Sequence, residues 1–306
     1  MDQHFLSRFY LSGFCDPDVP AGHTPFVWTQ TLQQSVWRRK SPKKLATTPD
    51  LYTFSKADGT KDQSLEELLG KIETVVAPVI KRISSGASSI LETERQNLAL
   101  FVALAQLRVP AMHDNIGDFI GRVGEGLIDI LHHKFTNDPK AFQHYKERYK
   151  RDTGQSIDDL KVESLDPEKY KIKASRASVV AISLSPVEMV SSILLKMGWR
   201  LIVTRSPDWF ITCDNPFFMI DPTNKDRVFG DGLGAPNIEI SFPLSKEIAL
   251  FASWQNKQPM EWCEATPYIV EKINLRCAAF ATRFLVAPKT IFPGSEKLKS
   301  KTPTVE

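Results

Sequence analysis

Apolar residues return along this chain in two rhythms. Between residues 64 and 135 they recur every three or four positions, and after Trp199 they alternate with polar residues or cluster in short runs. The first rhythm is that of a helix with one buried face, the second that of strands. Leu65, Leu68, Leu69, Ile72, Val75, Val76, Val79, Ile80 and Ile83 predict a helix over 64–83, opened by a Ser64 to Glu67 capping box and kinked or divided at Pro78. Ser89 to Glu92 repeats the capping pattern. Leu98, Phe101, Val102, Leu104, Ala105 and Leu107 then predict a central helix, apolar on most sides, that ends at Arg108-Val109-Pro110. Residues 116–135 read as an amphipathic helix and 140–151 as a basic one behind Asp138-Pro139. Ser185-Pro186-Val187-Glu188 marks a further helix start, closed near Met197-Gly198.

Strands are expected over 199–204, 208–213, 237–244 and 283–288, with 247–253 as hairpin partner of 237–244 and a helix over 266–280. Near the N-terminus, residues 4–14 read as a short helix stopped by Gly13. Residues 26–32 and 51–54 read as strands, the second closed by an Asp58-Gly59 turn. The expected fold class is α+β, a helical N-terminal half packed on a mainly antiparallel C-terminal sheet. It forms one domain over 1–288, with halves of about 1–175 and 176–288, and 289–306 as a disordered tail. The polar stretch 136–175 reads as an exposed excursion between the halves.

Composition narrows the function classes. With 306 residues the chain can bury a large core, and its net charge of +3 is too small to argue for nucleic acid by itself. The four cysteines (Cys15, Cys213, Cys263, Cys277) form no paired motif, so a zinc site is not expected and reduced thiols of a cytoplasmic protein are. No apolar leader opens the chain, and no run approaches the roughly 20 apolar residues of a membrane helix. The glycine-rich stretch 229–236 lacks the lysine and hydroxyl of a phosphate loop.

Candidate chemistry gathers at three places. Asp214 and Asn215 stand where an apolar run is broken by Pro216, a strand end where a scaffold holds polar groups firmly. His4 and Arg8 are four apart, one helical turn; they face water on a docking segment or enter a shared site. Arg108 ends a buried helix, where a charge demands a partner, either a structural carboxylate or a bound anion. Glu66 and Glu73, two turns apart, form a solvated edge or face a groove. The basic block 37–44, with Lys43 in it, is a solvated loop or an anion contact. One expectation is a hydrolase, a nuclease above all, acting on a phosphate-bearing or nucleic-acid substrate. In it His4 and Asp214 are catalytic, Arg8, Tyr10, Lys43, Arg108 and Asn215 bind substrate, and a divalent metal ion is admitted as cofactor. The alternative is a non-enzymatic binding or sensor protein of a bacterial defence or stress system, in which Asp214 caps loop amides, Arg108 pairs with Glu66 or Glu73, and the basic stretches 38–44 and 140–151 meet a partner or nucleic acid.

Several of these stretches together resemble one family. His4-Phe5-Leu6-Ser7-Arg8-Phe9-Tyr10-Leu11-Ser12-Gly13-Phe14 is similar to an HxxPxxYLxxF opening, with Ser7 in the proline position. Thr212-Cys213-Asp214-Asn215-Pro216 is similar to an SDNP strand end, with Cys213 in the serine position. Ser41 to Ala46, Phe101 to Pro110 and Phe242-Pro243-Leu244-Ser245 resemble further motifs. The family is the microbial domain of unknown function family 4238. The resemblance spans residues 4 to about 288 and implies a shared fold and a shared site.

Overall fold

The computed structural model describes residues 2–299 apart from 35, 56–57, 170, 206 and 224–231. The glycine-rich stretch therefore lies partly outside the described residues, as does the tail from 300 onward.

In chain order the elements are β1 (Asp2–His4), α1 (Arg8–Ser12), β2 (Val27–Thr31), β3 (Arg38–Lys40), β4 (Thr47–Pro49), β5 (Phe54–Ser55), β6 (Lys61–Asp62), α2 (Ser64–Ser84), α3 (Glu92–Leu107), α4 (Pro110–Asn137) and α5 (Pro139–Thr153). They continue with α6 (Arg176–Leu184), α7 (Val187–Lys196), β7 (Gly198–Val203), β8 (Thr212–Cys213), β9 (Phe218–Ile220), β10 (Glu239–Pro243), β11 (Ile248–Ser253), β12 (Met260–Glu264), α8 (Pro267–Phe280), β13 (Phe284–Ala287) and α9 (Ser295–Lys299). Helices and strands are interspersed, so the expected division into a helical N-terminal half and a C-terminal sheet is wrong. The reason is non-local pairing. In a four-stranded sheet of order β3-β2-β13-β8, the N-terminal β2 lies antiparallel to β13, with Trp28 opposite Ala287. Periodicity reveals a strand but not a partner some 250 residues away. A five-stranded sheet, order β12-β7-β11-β10-β9, is antiparallel except where β12 runs parallel to β7. The fold class stays α+β.

The chain divides into two compact units, residues 1–112 with 183–306, and residues 113–182. In the larger unit α2, α3 and α7 pack together, and Tyr10 ties α1 to both main sheets. Its hydroxyl lies 2.6 Å from Thr212 Oγ1 and donates to the Pro243 carbonyl at 2.8 Å. Two of the expected caps sit elsewhere. α2 follows Gln63, which makes no side-chain cap, and Ser64 is already its first helical residue; at α3, Glu94 accepts from the Leu91 amide at 2.7 Å. Residues 289–299 are not a disordered tail: Phe292 is buried beside Trp37, and Lys289 is ion-paired. An aromatic residue in an otherwise Lys/Ser/Pro stretch is enough to dock it.

The smaller unit is built on α4 and α5. Asp138 caps α5 as read, accepting from the Ala141 amide at 3.1 Å, and Gly154 closes it in the left-handed conformation. Phe135, Phe142 and Tyr145 stack between the helices. Gly121 and Gly124 let the chain at Ile172 lie against α4; a Cβ at Gly121 would meet the Ile172 carbonyl at 2.8 Å. The stretch Arg176–Lys196 is long and apolar enough to cross a membrane by length and composition, contrary to the expectation that no run approaches that length. Here it is divided into α6 and α7 around Ser185-Pro186.

Candidate active site

The first strand sets the site. β1 lies antiparallel to β4, placing His4 opposite Thr47. Gln3 is buried and locks this pairing: its Oε1 accepts from the Tyr52 amide at 2.6 Å, and its Nε2 donates to Thr53 Oγ1 at 3.0 Å. Ser7 then turns into α1. Its hydroxyl donates to Glu73 Oε1 on α2 at 2.7 Å. Arg108, capping the end of α3, donates to the same Glu73 oxygen at 2.9 Å and to Ser7 Oγ at 2.6 Å. Three segments distant in sequence meet at one buried guanidinium, whose side chain is 2 % exposed. A planar fork with fixed donors suits such a junction better than an ammonium.

Two further groups complete the cluster. The His4 ring is partly buried, and its Nε2 has no hydrogen-bond partner. Burial pushes its pKa below the ordinary 6.5. The carbonyls of Pro42 and Lys43 and the charge of Glu73 oppose that shift, and Arg108 adds to it. Glu66 moves the other way: burial first, then the neighbouring Glu73 charge, raise it above the ordinary 4.5, with Arg108 opposing. Burial also raises the Tyr52 phenol, which feels Arg108, Glu66 and Glu73. An imidazole of lowered pKa, with a buried nitrogen that has no hydrogen-bond partner, thus shares one field with a carboxyl of raised pKa. Divergent environments of this kind separate a proton acceptor from a proton donor.

The raised pKa of Glu66 has a stability consequence. The folded state holds the proton more tightly than the unfolded chain, so the stabilising term is present in full below 4.5 and is lost as pH rises through the folded value. At neutral pH the ionised carboxylate is a burden on the fold. Glu66→Gln is therefore expected to raise the urea midpoint at pH 7 and to lose that advantage toward pH 4. An unchanged or lowered midpoint at pH 7 would contradict the electrostatic account.

A family model described as protein of unknown function, DUF4238, matches residues 2–290. The chain belongs to this family. No curated protein and no solved structure matches it. Both departures from the family motifs have a local explanation. Ser7 has φ −54° and ψ 139°, a backbone that proline adopts freely, while its hydroxyl adds the bonds to Glu73 and Arg108. Cys213 donates through Sγ to the Asn215 carbonyl at 3.1 Å and accepts from the Asn215 amide at 3.4 Å, a turn that a serine hydroxyl closes equally well.

His4 and Arg108 thus lie in one electrostatic cluster, but the other residues singled out from the sequence do not join them there as side chains. Lys43 contributes its backbone carbonyl while its side chain is exposed, and Arg8 is exposed on α1. Tyr10 is fully buried and serves the packing described above. Asp214, expected as catalytic, is 0 % exposed and accepts from the amides of Thr282 (3.0 Å), Arg283 (3.0 Å) and Phe284 (3.2 Å) and from the Thr282 hydroxyl. It caps the loop entering β13. Asn215 donates to the Phe280 carbonyl at 3.3 Å. A buried carboxylate saturated by four donors has little left for substrate, so both residues are corrected to fold-holding roles. Ser7 and Tyr52 escaped the sequence reading, and the only signal for Glu66 and Glu73 was their two-turn spacing. Among the described residues no group of three or more His, Cys, Asp or Glu side chains is arranged to hold a metal ion.

Proposed function

We propose that the His4–Glu66–Glu73–Arg108 cluster is an acid–base site that hydrolyses a phosphate-bearing substrate, with nucleic-acid phosphodiesters as the first candidates. The observation that carries this reading is the buried His4 Nε2 without a partner, beside a carboxyl whose pKa is raised. Such a nitrogen is costly in a purely structural role and useful as a base that takes a proton from water or a hydroxyl. Glu66, whose pKa is raised, then protonates the leaving oxygen in the acid range where it still holds its proton. Glu73 favours the imidazolium that forms, and Arg108 holds Glu73 in place. Cations for the phosphate come from the basic run around Lys43 and Lys44, both exposed.

The reading is supported by the chemistry of these residues alone. Its test is cleavage of end-labelled single-stranded RNA and DNA by the purified chain between pH 4.5 and 7.5, with products sized by electrophoresis. Cleavage that falls by about 10²- to 10⁴-fold in Glu66→Gln, with the residual rate no longer dropping on the alkaline side, is the expected result. A folded wild-type chain that cleaves neither strand, nor a simple aryl phosphodiester, removes the proposal. The second reading, a binding protein without chemistry, draws on the Ser7–Glu73–Arg108 junction, which by itself is a sound structural ion pair.

A further inference from the structure

A second cluster in the larger unit plays no part in that chemistry. β3 is the edge of its sheet, and Arg38, Arg39 and Lys40 are all exposed on it. Arg39 lies opposite Trp28 across the β2–β3 pair, so the two side chains share a face. The Arg39 guanidinium stands 4.8 Å from the centre of the Phe26 ring and 4.9 Å from that of Trp28. The two rings meet edge to face at 5.8 Å. They wall a cavity of about 310 Å³, completed by Asp16, Asp18, Lys289 and neighbouring residues. That volume is at the small end of ligand sites.

The wall is rigidly built. Asp16 has a side chain only 6 % exposed; its Oδ2 accepts from Trp28 Nε1 at 2.8 Å, and its Oδ1 accepts from Lys289 Nζ at 2.6 Å. Lys289 also reaches Asp18 at 2.5 Å. One buried carboxylate thereby fixes both the indole plane and the ammonium at the cavity mouth. A plain sheet surface has no need to anchor a half-buried aromatic pair in this way. The chain then leads straight from Lys40 through Ser41 into the Pro42–Lys44 turn, whose carbonyls act on His4. A basic edge strand with anchored aromatics, running toward the candidate active site, has the parts that hold an unpaired strand: flat platforms for bases and cations for phosphates.

We propose that the Phe26–Trp28–Arg39 cavity is a stacking site for an unpaired nucleobase, and that β3 carries the backbone of a single-stranded nucleic acid past it. Arg39 covers the aromatic pair in the free protein and sandwiches the base, or moves aside to a phosphate, in the complex. A duplex does not fit the role, because its bases are already stacked. The proposal rests on the phosphodiester reading for the class of substrate, but its readout is binding, not turnover.

The test uses the full chain carrying His4→Gln, so that cleavage is slow on the timescale of the measurement, and a fluorescein-labelled 12-nucleotide DNA of mixed sequence, single-stranded or annealed to its complement. Anisotropy is expected to show tighter binding to the single strand. Trp28→Leu is expected to weaken that binding by about 5- to 150-fold, the range that one stacked base supplies. Trp28→Phe, which keeps a ring, should recover most of it, and Arg39→Ala should lower the slope of log affinity against log salt by about one. Duplex preference, or affinity unchanged in a folded Trp28→Leu, overturns the stacking site. Wild-type cleavage together with unchanged Trp28→Leu binding defeats this proposal and leaves the hydrolase reading standing. Stacking-dependent binding without any cleavage does the reverse.

Discussion

Asp214→Ala is expected to cost about 3–5 kcal/mol of folding stability, the cost of removing one partner from a buried, hydrogen-bonded charge. The carboxylate is wholly buried and accepts from three successive backbone amides and a hydroxyl on the approach to β13. Alanine leaves those donors facing an apolar gap. The penalties do not add in full, because Thr282 and Arg283 are exposed and the loop can turn toward water. Asp214→Asn keeps one acceptor and should cost less, about 1–3 kcal/mol. Urea unfolding reads both values, with the midpoint falling and the slope unchanged. A loss below about 1 kcal/mol for alanine contradicts the capping role. Folded Asp214→Asn with turnover abolished would return the residue to the chemistry.

The second large effect is at His4. Replacing a general base usually costs about 10²- to 10⁴-fold in rate. His4→Gln is expected to lose turnover on that scale while the protein stays folded, because Nε2 has no hydrogen-bond partner to lose. The pH dependence follows from the two shifts. His4 lies below its ordinary 6.5, so its base form is lost as pH falls through that lowered value. Glu66 lies above its ordinary 4.5, so its acid form is lost as pH rises through the raised one. The acid limb then falls below 6.5 and the alkaline limb above 4.5, and they belong to the pair and not to either residue alone. Glu66→Gln should remove the alkaline limb. Loss of the acid limb instead would reverse the two roles.

How much of this was legible in the residues themselves differs between fold and site. The β10–β11 hairpin, β2, β13, α2 and the capped α5 follow from period and turn chemistry, since their signals lie within a few residues of one another. β12 did not show, because its residues are all half-buried or exposed and do not alternate. The layout was misjudged because sheet partners such as β2 and β13 lie at opposite ends of the chain. The site divides in the same way. Arg108 announces itself as a charge at the end of an apolar helix, and a buried charge needs a partner wherever it sits. Its partner Ser7, 101 residues away, carries no local mark, whereas Glu73, 35 residues away, is marked only by its two-turn spacing from Glu66. The Asp214-Asn215-Pro216 motif misled for the opposite reason. A polar pair at a buried strand end looks the same whether it meets a substrate or the amides of its own loop, and only the donors around Asp214 tell the two apart.

The most direct measurement of the central claim is phosphodiester cleavage by His4→Gln beside wild type and Asp214→Asn, each first shown to be folded by circular dichroism and urea unfolding. The account predicts that wild type and Asp214→Asn cleave at similar rates and that His4→Gln is at least about 10²-fold slower. Equal rates in wild type and His4→Gln would show that the free imidazole nitrogen beside Glu66 and Glu73 is not where the chemistry happens.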